Sequence, residues 1–433
     1  MSKLLIKGAT VITVDSTNQI FAPGDVICED DSLVYVGPSQ PHLAEDFDCV
    51  LSGNGKIVLP GLVNAHTHAA MTLFRSYADD LALQSWLKEK IWPLEAKLTP
   101  EAVYWGSLLA CLEMVEAGVT TFADMYFFMD ETARAVKESG LRADLSVGMT
   151  GLDAGMGEKA LGKAAEFVQR FNGTAKGHIT CRLGPHAPYT CPKPFMVKTL
   201  KTAQDLNCGI HIHLAETRQE VEDLAKETGL TPVQFYHEVL QEVGMVPTVA
   251  AHCVHVNKSD IGLLAESQIK VVHNPGSNLK LASGFAPLKA LLEGSVSVGL
   301  GTDGAASNNN LDILEEARLA ALVHKCTSGD PTAISAQEAL RLATIGGARV
   351  LGLDDQIGSL EVGKKADLLV LSEDRPHLCP RHDVISRIIY SARASDIDLV
   401  MVGGTIVVEK GKAVTVDRKE IMRQTQRIVE EIW

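Results

Sequence analysis

Between residues 58 and 350 the chain repeats one unit: an apolar strand-like stretch, a loop and a helical segment. The strand-like stretches are 58–66, 119–125, 142–149, 178–185, 209–214, 247–253, 269–273 and 296–302. Eight strands alternating with helices predict a parallel (β/α)8 barrel of the TIM type. The first long helix has a clear start, with Thr99 as N-cap, Pro100 at the first helical position and Glu101 in the first turn. Its apolar positions run through Val103, Leu108, Leu109, Leu112 and Val115 until Gly118 stops it. A later helix opens with Ser335-Ala336-Gln337-Glu338, a capping-box pattern.

The flanks follow a different rhythm. Residues 1–58 hold short strands, Leu4 to Thr13, Asp25 to Glu29 and Leu33 to Gly37, with a turn signal at Pro23-Gly24-Asp25. After 356 strands return at Leu368 to Leu371, Val400 to Val408 and near 412–416, followed by a terminal helix over 418–432. Neither flank is large enough to bury a core alone, so the two are expected to form one small β-sandwich. The expected division is 1–58 for its first part, 59–356 for the barrel, and 357–433 for its second part with the C-terminal helix. An apolar content of 46% over 433 residues supplies the buried core such a plan needs.

Charge and cysteine usage exclude several classes. The net charge is −14 and no basic run occurs, which argues against a nucleic-acid groove. The nine cysteines are scattered, odd in number and contain no Cys-x-x-Cys pair, against a disulfide framework or a cysteine zinc site and for a reducing, cytoplasmic setting. Met1 to Asp15 alternates like a strand and lacks a signal-peptide core. No apolar run approaches ~20 residues, so no membrane span is expected.

In such a barrel the reactive residues sit at the C-terminal strand ends. The first barrel strand ends in Gly61-Leu62-Val63-Asn64-Ala65-His66-Thr67-His68. Residues i and i+2 of a strand share a face, so His66 and His68 project together, as two imidazoles on one metal ion must. The fifth strand reads Ile210-His211-Ile212-His213-Leu214-Ala215-Glu216, the sixth ends in Ala251-His252-Cys253, and the eighth in Gly301-Thr302-Asp303-Gly304. His66, His68, His213 and Asp303 could surround Zn²⁺ and leave a place for water. His211 has the same inward phase one layer deeper and reads as a core or supporting histidine. Asp303 can serve twice, as ligand and as proton acceptor. Glu216 and His252 follow the pattern of acid–base groups at the barrel mouth. Taken singly, His66 with His68 reads as two strand-end polar residues, Asp303 as part of a turn signal, and Glu216 and His252 as rim polar residues; their weight comes from the ordered set.

That set, with Pro60 to His68, His213-Leu214-Ala215-Glu216, Ala251-His252-Cys253, Gly301 to Gly304 and the closing Gly358 to Asp367, resembles the amidohydrolase superfamily over essentially the whole chain. Strand four, His178 to His186, carries no bridging lysine, which points to the mononuclear branch. Within it the chain is similar to the 5′-methylthioadenosine/S-adenosylhomocysteine deaminases, through Met71 to Arg75, Trp92-Pro93-Leu94-Glu95, Gly184 to Tyr189, His273 to Leu281 and Gly304 to Asn309. The resemblance implies a C–N hydrolase that deaminates adenosine-type nucleosides to inosine-type products and ammonia. It implies Glu95 on the ribose hydroxyls, His186 on the purine, and Glu216 and Asp303 against the substrate. The implied cofactor is one Zn²⁺, with Fe²⁺ accepted by the same donors. The implied partner is a small nucleoside, not a nucleic acid or a membrane, and a homo-oligomer stays open.

One departure bears on substrate choice. S-adenosylhomocysteine users in that family carry arginine after the third strand, suited to a carboxylate. Here Val147 stands there, the loop Asp153 to Gly157 also lacks arginine, and Arg142 lies too early in the strand. The expectation is a substrate without a carboxylate, such as methylthioadenosine, adenosine or 5′-deoxyadenosine. The same scaffold also supports triazine, guanine-type and pterin amidohydrolases. A non-catalytic scaffold would show gaps in the ligand set.

Overall fold

The computed structural model describes residues 3–40, 47–81 and 83–432. Residues 1 and 2 of the first strand-like stretch, and residue 433 at the end of the terminal segment, lie outside the described residues. Two sheets organise the chain. One is eight-stranded and parallel: β6 (Leu62–Thr67), β7 (Val119–Tyr126), β8 (Arg142–Met149), β9 (Ile179–Pro185), β10 (Gly209–Leu214), β11 (Thr248–His252), β12 (Lys270–His273) and β13 (Val298–Leu300), each paired with the next. Its ends meet across β13 and β6, where Asp303 N donates to His66 O at 3.0 Å. Asn64 reinforces that seam, donating to Thr302 Oγ1 at 2.8 Å and accepting from Thr302 N at 3.0 Å.

The other sheet joins both flanks. It contains β1 (Lys3–Ile12), β2 (Ile20–Glu29), β3 (Ser32–Pro38), β4 (Cys49–Ser52), β5 (Lys56–Pro60), β14 (Leu368–Ser372), β15 (Ile397–Val402), β16 (Thr405–Glu409) and β17 (Lys412–Ala413). Its order is β17-β16-β15-β14-β5-β1-β2-β3, with β4 on β1. The hydrogen-bonded path is continuous, and it encloses its own apolar cluster of Ile6, Val26, Leu33, Val58, Leu368 and Met401. The stretch expected as one strand over 400–408 is a hairpin, turned at Gly403 and Gly404; a side chain at Gly404 would run into Asp30 O, and its φ is +74°.

The stretch expected as one strand over 58–66 is two. Gly61 N donates to Asp367 O in the outer sheet at 3.0 Å, and Leu62 N donates to Gly118 O beside the barrel at 3.0 Å. Successive amides therefore serve different sheets. The switch needs glycine, because a Cβ at position 61 would lie 2.2 Å from Thr120 Oγ1. A buried ion pair ties the two bodies again, with Arg142 Nη2 3.3 Å from Asp367 Oδ1.

The helix Pro100–Glu116 starts at Thr99, whose side chain accepts from Ala102 N at 3.2 Å. The terminal helix Arg418–Ile432 reaches it through Arg427 and Glu101. Ser335 caps its helix by accepting from Glu338 N at 3.1 Å. Among the described residues no helix is long and apolar enough to cross a membrane.

Candidate active site

Parallel strands present their carbonyl ends and following loops at one mouth, where His66 at the end of β6, His68 just past it and His213 on β10 come together. His68 Nε2 lies 3.3 Å from Asp303 Oδ1, His66 Nε2 lies 3.4 Å from the same oxygen, and His213 Nε2 lies 3.3 Å from His68 Nε2. The ligand atoms of His66, His68 and His213 all fall within 4.8 Å of one another, as do those of His66, His252 and Asp303.

Main-chain carbonyls set the tautomers. His68 Nδ1–H donates to Met125 O at 2.6 Å, and His213 Nδ1–H donates to His186 O at 2.8 Å. Each bond leaves the Nε2 lone pair facing inward. His66 Nδ1 meets His211 Nε2 at 2.8 Å, so His211 stands behind His66 and not in the cluster. His66 Nε2 is buried without a hydrogen-bond partner. Burial holds the His66 imidazole at about 4 against the pull of Asp303, and burial with neighbouring histidines keeps His213 well below its usual value. Neutral imidazoles, an orphaned inward Nε2 and one carboxylate fit a divalent transition metal.

Asp303 and His252 reach the mouth through left-handed backbone, at φ +60° and +75°. That conformation is uncommon outside glycine and recurs at functional sites. Asp303 Oδ2 accepts from Ser277 Oγ at 2.7 Å and Ser307 Oγ at 2.9 Å, and Oδ1 accepts from Gly304 N at 2.8 Å. Burial alone would raise this carboxyl, but the His66 and His68 rings against it hold it well below the carboxylate range. His252 Nδ1 donates to Asn278 Oδ1 at 2.9 Å, and its Nε2 faces Glu216 Oε2 at 3.8 Å. Burial opposes protonation of His252, yet Glu216 and Asp303 outweigh it and raise the ring. Burial raises Glu216 in turn, against the pull of His252.

His68, His213, Glu216, His252 and Asp303 border one cavity of about 890 Å³, which also takes in Glu95 and His186. Glu95 ends the short helix Trp92–Glu95 and accepts from Tyr126 OH at 2.8 Å. His186 follows β9, with Nδ1 3.0 Å from Thr190 Oγ1; burial brings it to about 4. The remaining wall is largely apolar, with Trp86, Phe127, Phe128, Met156 and Phe167, and Val147 is part of it. Arg142 is committed to Asp367 and is not in the lining.

Several contributors escaped the sequence reading. Ser277 and Asn278 lie within the His273 to Leu281 stretch, yet nothing local says that they brace Asp303 and His252. Lys159 and Lys163 also border the cavity. They lie one turn apart on the helix Ala154–Phe171, just beyond Asp153 to Gly157, the stretch read from the sequence as a loop, which is this helix's N-cap and first turn. Spacing i, i+4 was the available signal.

Residues 57–407 match the amidohydrolase family. The chain belongs to that family. This amidohydrolase is 48% identical over 431 residues to a 5-methylthioadenosine/S-adenosylhomocysteine deaminase of Pelotomaculum thermopropionicum, covering 99% of this chain and 98% of the relative. A protein of the same description from Moorella thermoacetica is 49% identical, covering 99% of each chain. Among solved structures, an adenosine deaminase from Xanthomonas campestris with bound zinc superposes with a TM-score of 0.93 at 34% identity, covering 100% of this chain and 98% of that one. A zinc complex of an atrazine chlorohydrolase from Arthrobacter aurescens TC1 gives 0.90 at 25% identity, covering 98% and 100%.

Proposed function

We propose that this amidohydrolase removes the 6-amino group of adenosine-type nucleosides by hydrolysis. In this reading His66, His68, His213 and Asp303 hold a single Zn²⁺, with Fe²⁺ as the alternative their donors accept. A divalent ion held by these residues would supply Lewis-acid chemistry, making a water acidic toward a pKa of ~7. Asp303, assisted by His252, accepts the proton of the attacking water. The water oxygen adds to C6 of the adenine ring while Glu216 passes its proton to N1, which lets the ring take up the electron pair. Collapse of the tetrahedral carbon expels ammonia, with the proton held by Asp303 delivered to the leaving amine and the C6 hydroxyl proton passing to Glu216, which regains its acid form as the C6 carbonyl forms. Glu95 receives the ribose hydroxyls, a task suited to a carboxylate facing a diol, and His186 hydrogen-bonds a purine nitrogen.

One observation carries this reading. The cavity that gathers the inward Nε2 atoms and Asp303 also holds Glu216, whose burial favours the protonated form a general acid needs. The Tyr126-braced Glu95 favours a nucleoside over a triazine, which has no sugar for it to bind. Val147 supports neutral 5′-substituents. Lys159 and Lys163 are exposed, so a tail carboxylate reaching them gains a screened contact, weaker than a buried arginine clasp.

The test is ammonia release, with the ultraviolet shift from adenine to hypoxanthine, on methylthioadenosine, adenosine, 5′-deoxyadenosine and S-adenosylhomocysteine. Turnover of the neutral three is expected. Silence on all four by metal-loaded protein would overturn the reading and turn attention to guanine-type bases, pterins and triazines.

A further inference from the structure

The helix Arg218–Thr228 begins immediately after Glu216 and is capped by Thr217, whose side chain accepts from Glu220 N at 3.1 Å. Glu220 occupies the third helical position, where a capping-box glutamate would bond the amide of the cap residue itself. It does something else. Its Oε2 accepts from Glu216 N at 2.8 Å and its Oε1 from Ala215 N at 3.1 Å, passing over Thr217 to the strand end. Both carboxylate oxygens are thus committed to the bend that carries Glu216.

That bend needs holding. Ala215 sits in left-handed backbone at φ +51°, a conformation that costs a residue with a Cβ about 1 kcal/mol or more. Glu220 is 6% exposed, and burying a carboxylate is costly unless its hydrogen bonds are made. Burial pushes its carboxyl up to about 7 against the bond from Glu216 N. A cap built from Thr217 alone would have served the helix with less penalty. The buried carboxylate serves the strand end.

Resting on the function proposed above, we propose that Glu220 is a positioning residue for Glu216. By clamping the amides of Ala215 and Glu216 it fixes the direction in which the Glu216 carboxyl enters the cavity, and so its reach to the purine N1. It touches neither substrate nor metal, and it acts only through Glu216.

A double-mutant cycle tests this on the metal-loaded protein, using Glu220→Gln, Glu216→Gln and the double variant. Glutamine keeps one acceptor oxygen and loses the second. Expected is a fall in kcat of about tenfold or more for Glu220→Gln with KM changed about twofold at most, and a further loss below about twofold in the Glu216→Gln background. Equal losses in both backgrounds, or loss of metal from Glu220→Gln by elemental analysis, would overturn the assignment. Amide hydrogen exchange gives a readout independent of turnover. The Ala215 and Glu216 amides should exchange about tenfold faster in Glu220→Gln while the last two turns of the helix keep their protection. Unchanged exchange at those two amides would overturn the assignment equally. If the native protein deaminates no nucleoside the function reading falls, and the exchange measurement still decides whether Glu220 holds the bend.

Discussion

His68 and His213 approach each other at 3.3 Å through their Nε2 atoms, while each ring has its Nδ1 proton committed to a main-chain carbonyl. Two lone pairs therefore face one another with no proton between them. Such a contact is repulsive unless a cation lies between the rings. The pair fits one half of the metal site proposed for this cavity, held in place by the barrel that positions it.

Metal removal is the first prediction. Chelation should lower the thermal midpoint and abolish turnover, and adding back Zn²⁺ should restore both. Ligand held at about 1,000 times its dissociation constant adds about 4 kcal/mol to stability. Differential scanning calorimetry with and without chelator checks this; an unshifted midpoint would count against a metal held by these residues.

Glu216→Gln should retain the metal and lose turnover by roughly 10²–10⁴-fold, the usual worth of general acid catalysis. Because burial raises the Glu216 carboxyl, its proton is kept to higher pH than an ordinary glutamate would keep it. Activity should therefore fall on the alkaline side as that proton is lost, and Glu216→Gln should remove that limb from the residual pH profile. Near-native turnover in a metal-replete variant would eliminate the acid role.

Tyr126→Phe leaves the ring and removes the hydroxyl that donates to Glu95 Oε1. One hydrogen bond to a carboxylate is worth about 1.5–3 kcal/mol, so KM for ribosides should rise by roughly tenfold or more with kcat little changed. A 2′,3′-dideoxy nucleoside, lacking the diol, should be indifferent to the change. Equal sensitivity of both substrates would show that Tyr126 does not act through Glu95.

Reversing both exposed lysines, Lys159→Glu with Lys163→Glu, should reduce kcat/KM for S-adenosylhomocysteine by about tenfold and leave methylthioadenosine within about twofold. In the native protein, raising the salt should likewise lower kcat/KM for S-adenosylhomocysteine toward the value of the double variant and leave methylthioadenosine unchanged. Steady-state kinetics at two ionic strengths measures both effects, and an unchanged S-adenosylhomocysteine rate would remove the lysines from substrate choice.

Much of this protein is written locally. The strand and helix alternation, the Thr99 and Ser335 caps and the pairing of His66 with His68 all follow from backbone periods of a few residues, which a sequence displays directly. The same locality allowed Asp303, His252 and Glu216 to be singled out, because each lies at or just past the C-terminal end of a barrel strand. What lay beyond it depended on closure of the barrel. Gly61 divides one apparent strand between two sheets only because Thr120 stands against it. Ser277 meets Asp303 across 26 residues of chain, and Tyr126 meets Glu95 across 31. Lys159 and Lys163 face the cavity because of how their helix is turned on the barrel, and Glu220 reaches past its own cap because the chain bends at Ala215. The sequence by itself determined which elements form and which strand ends carry reactive side chains, since both are set by short-range backbone geometry. Only the tertiary structure decided which side chains share a hydrogen bond or a cavity wall, since those partners are distant in the chain and meet only when the core is packed.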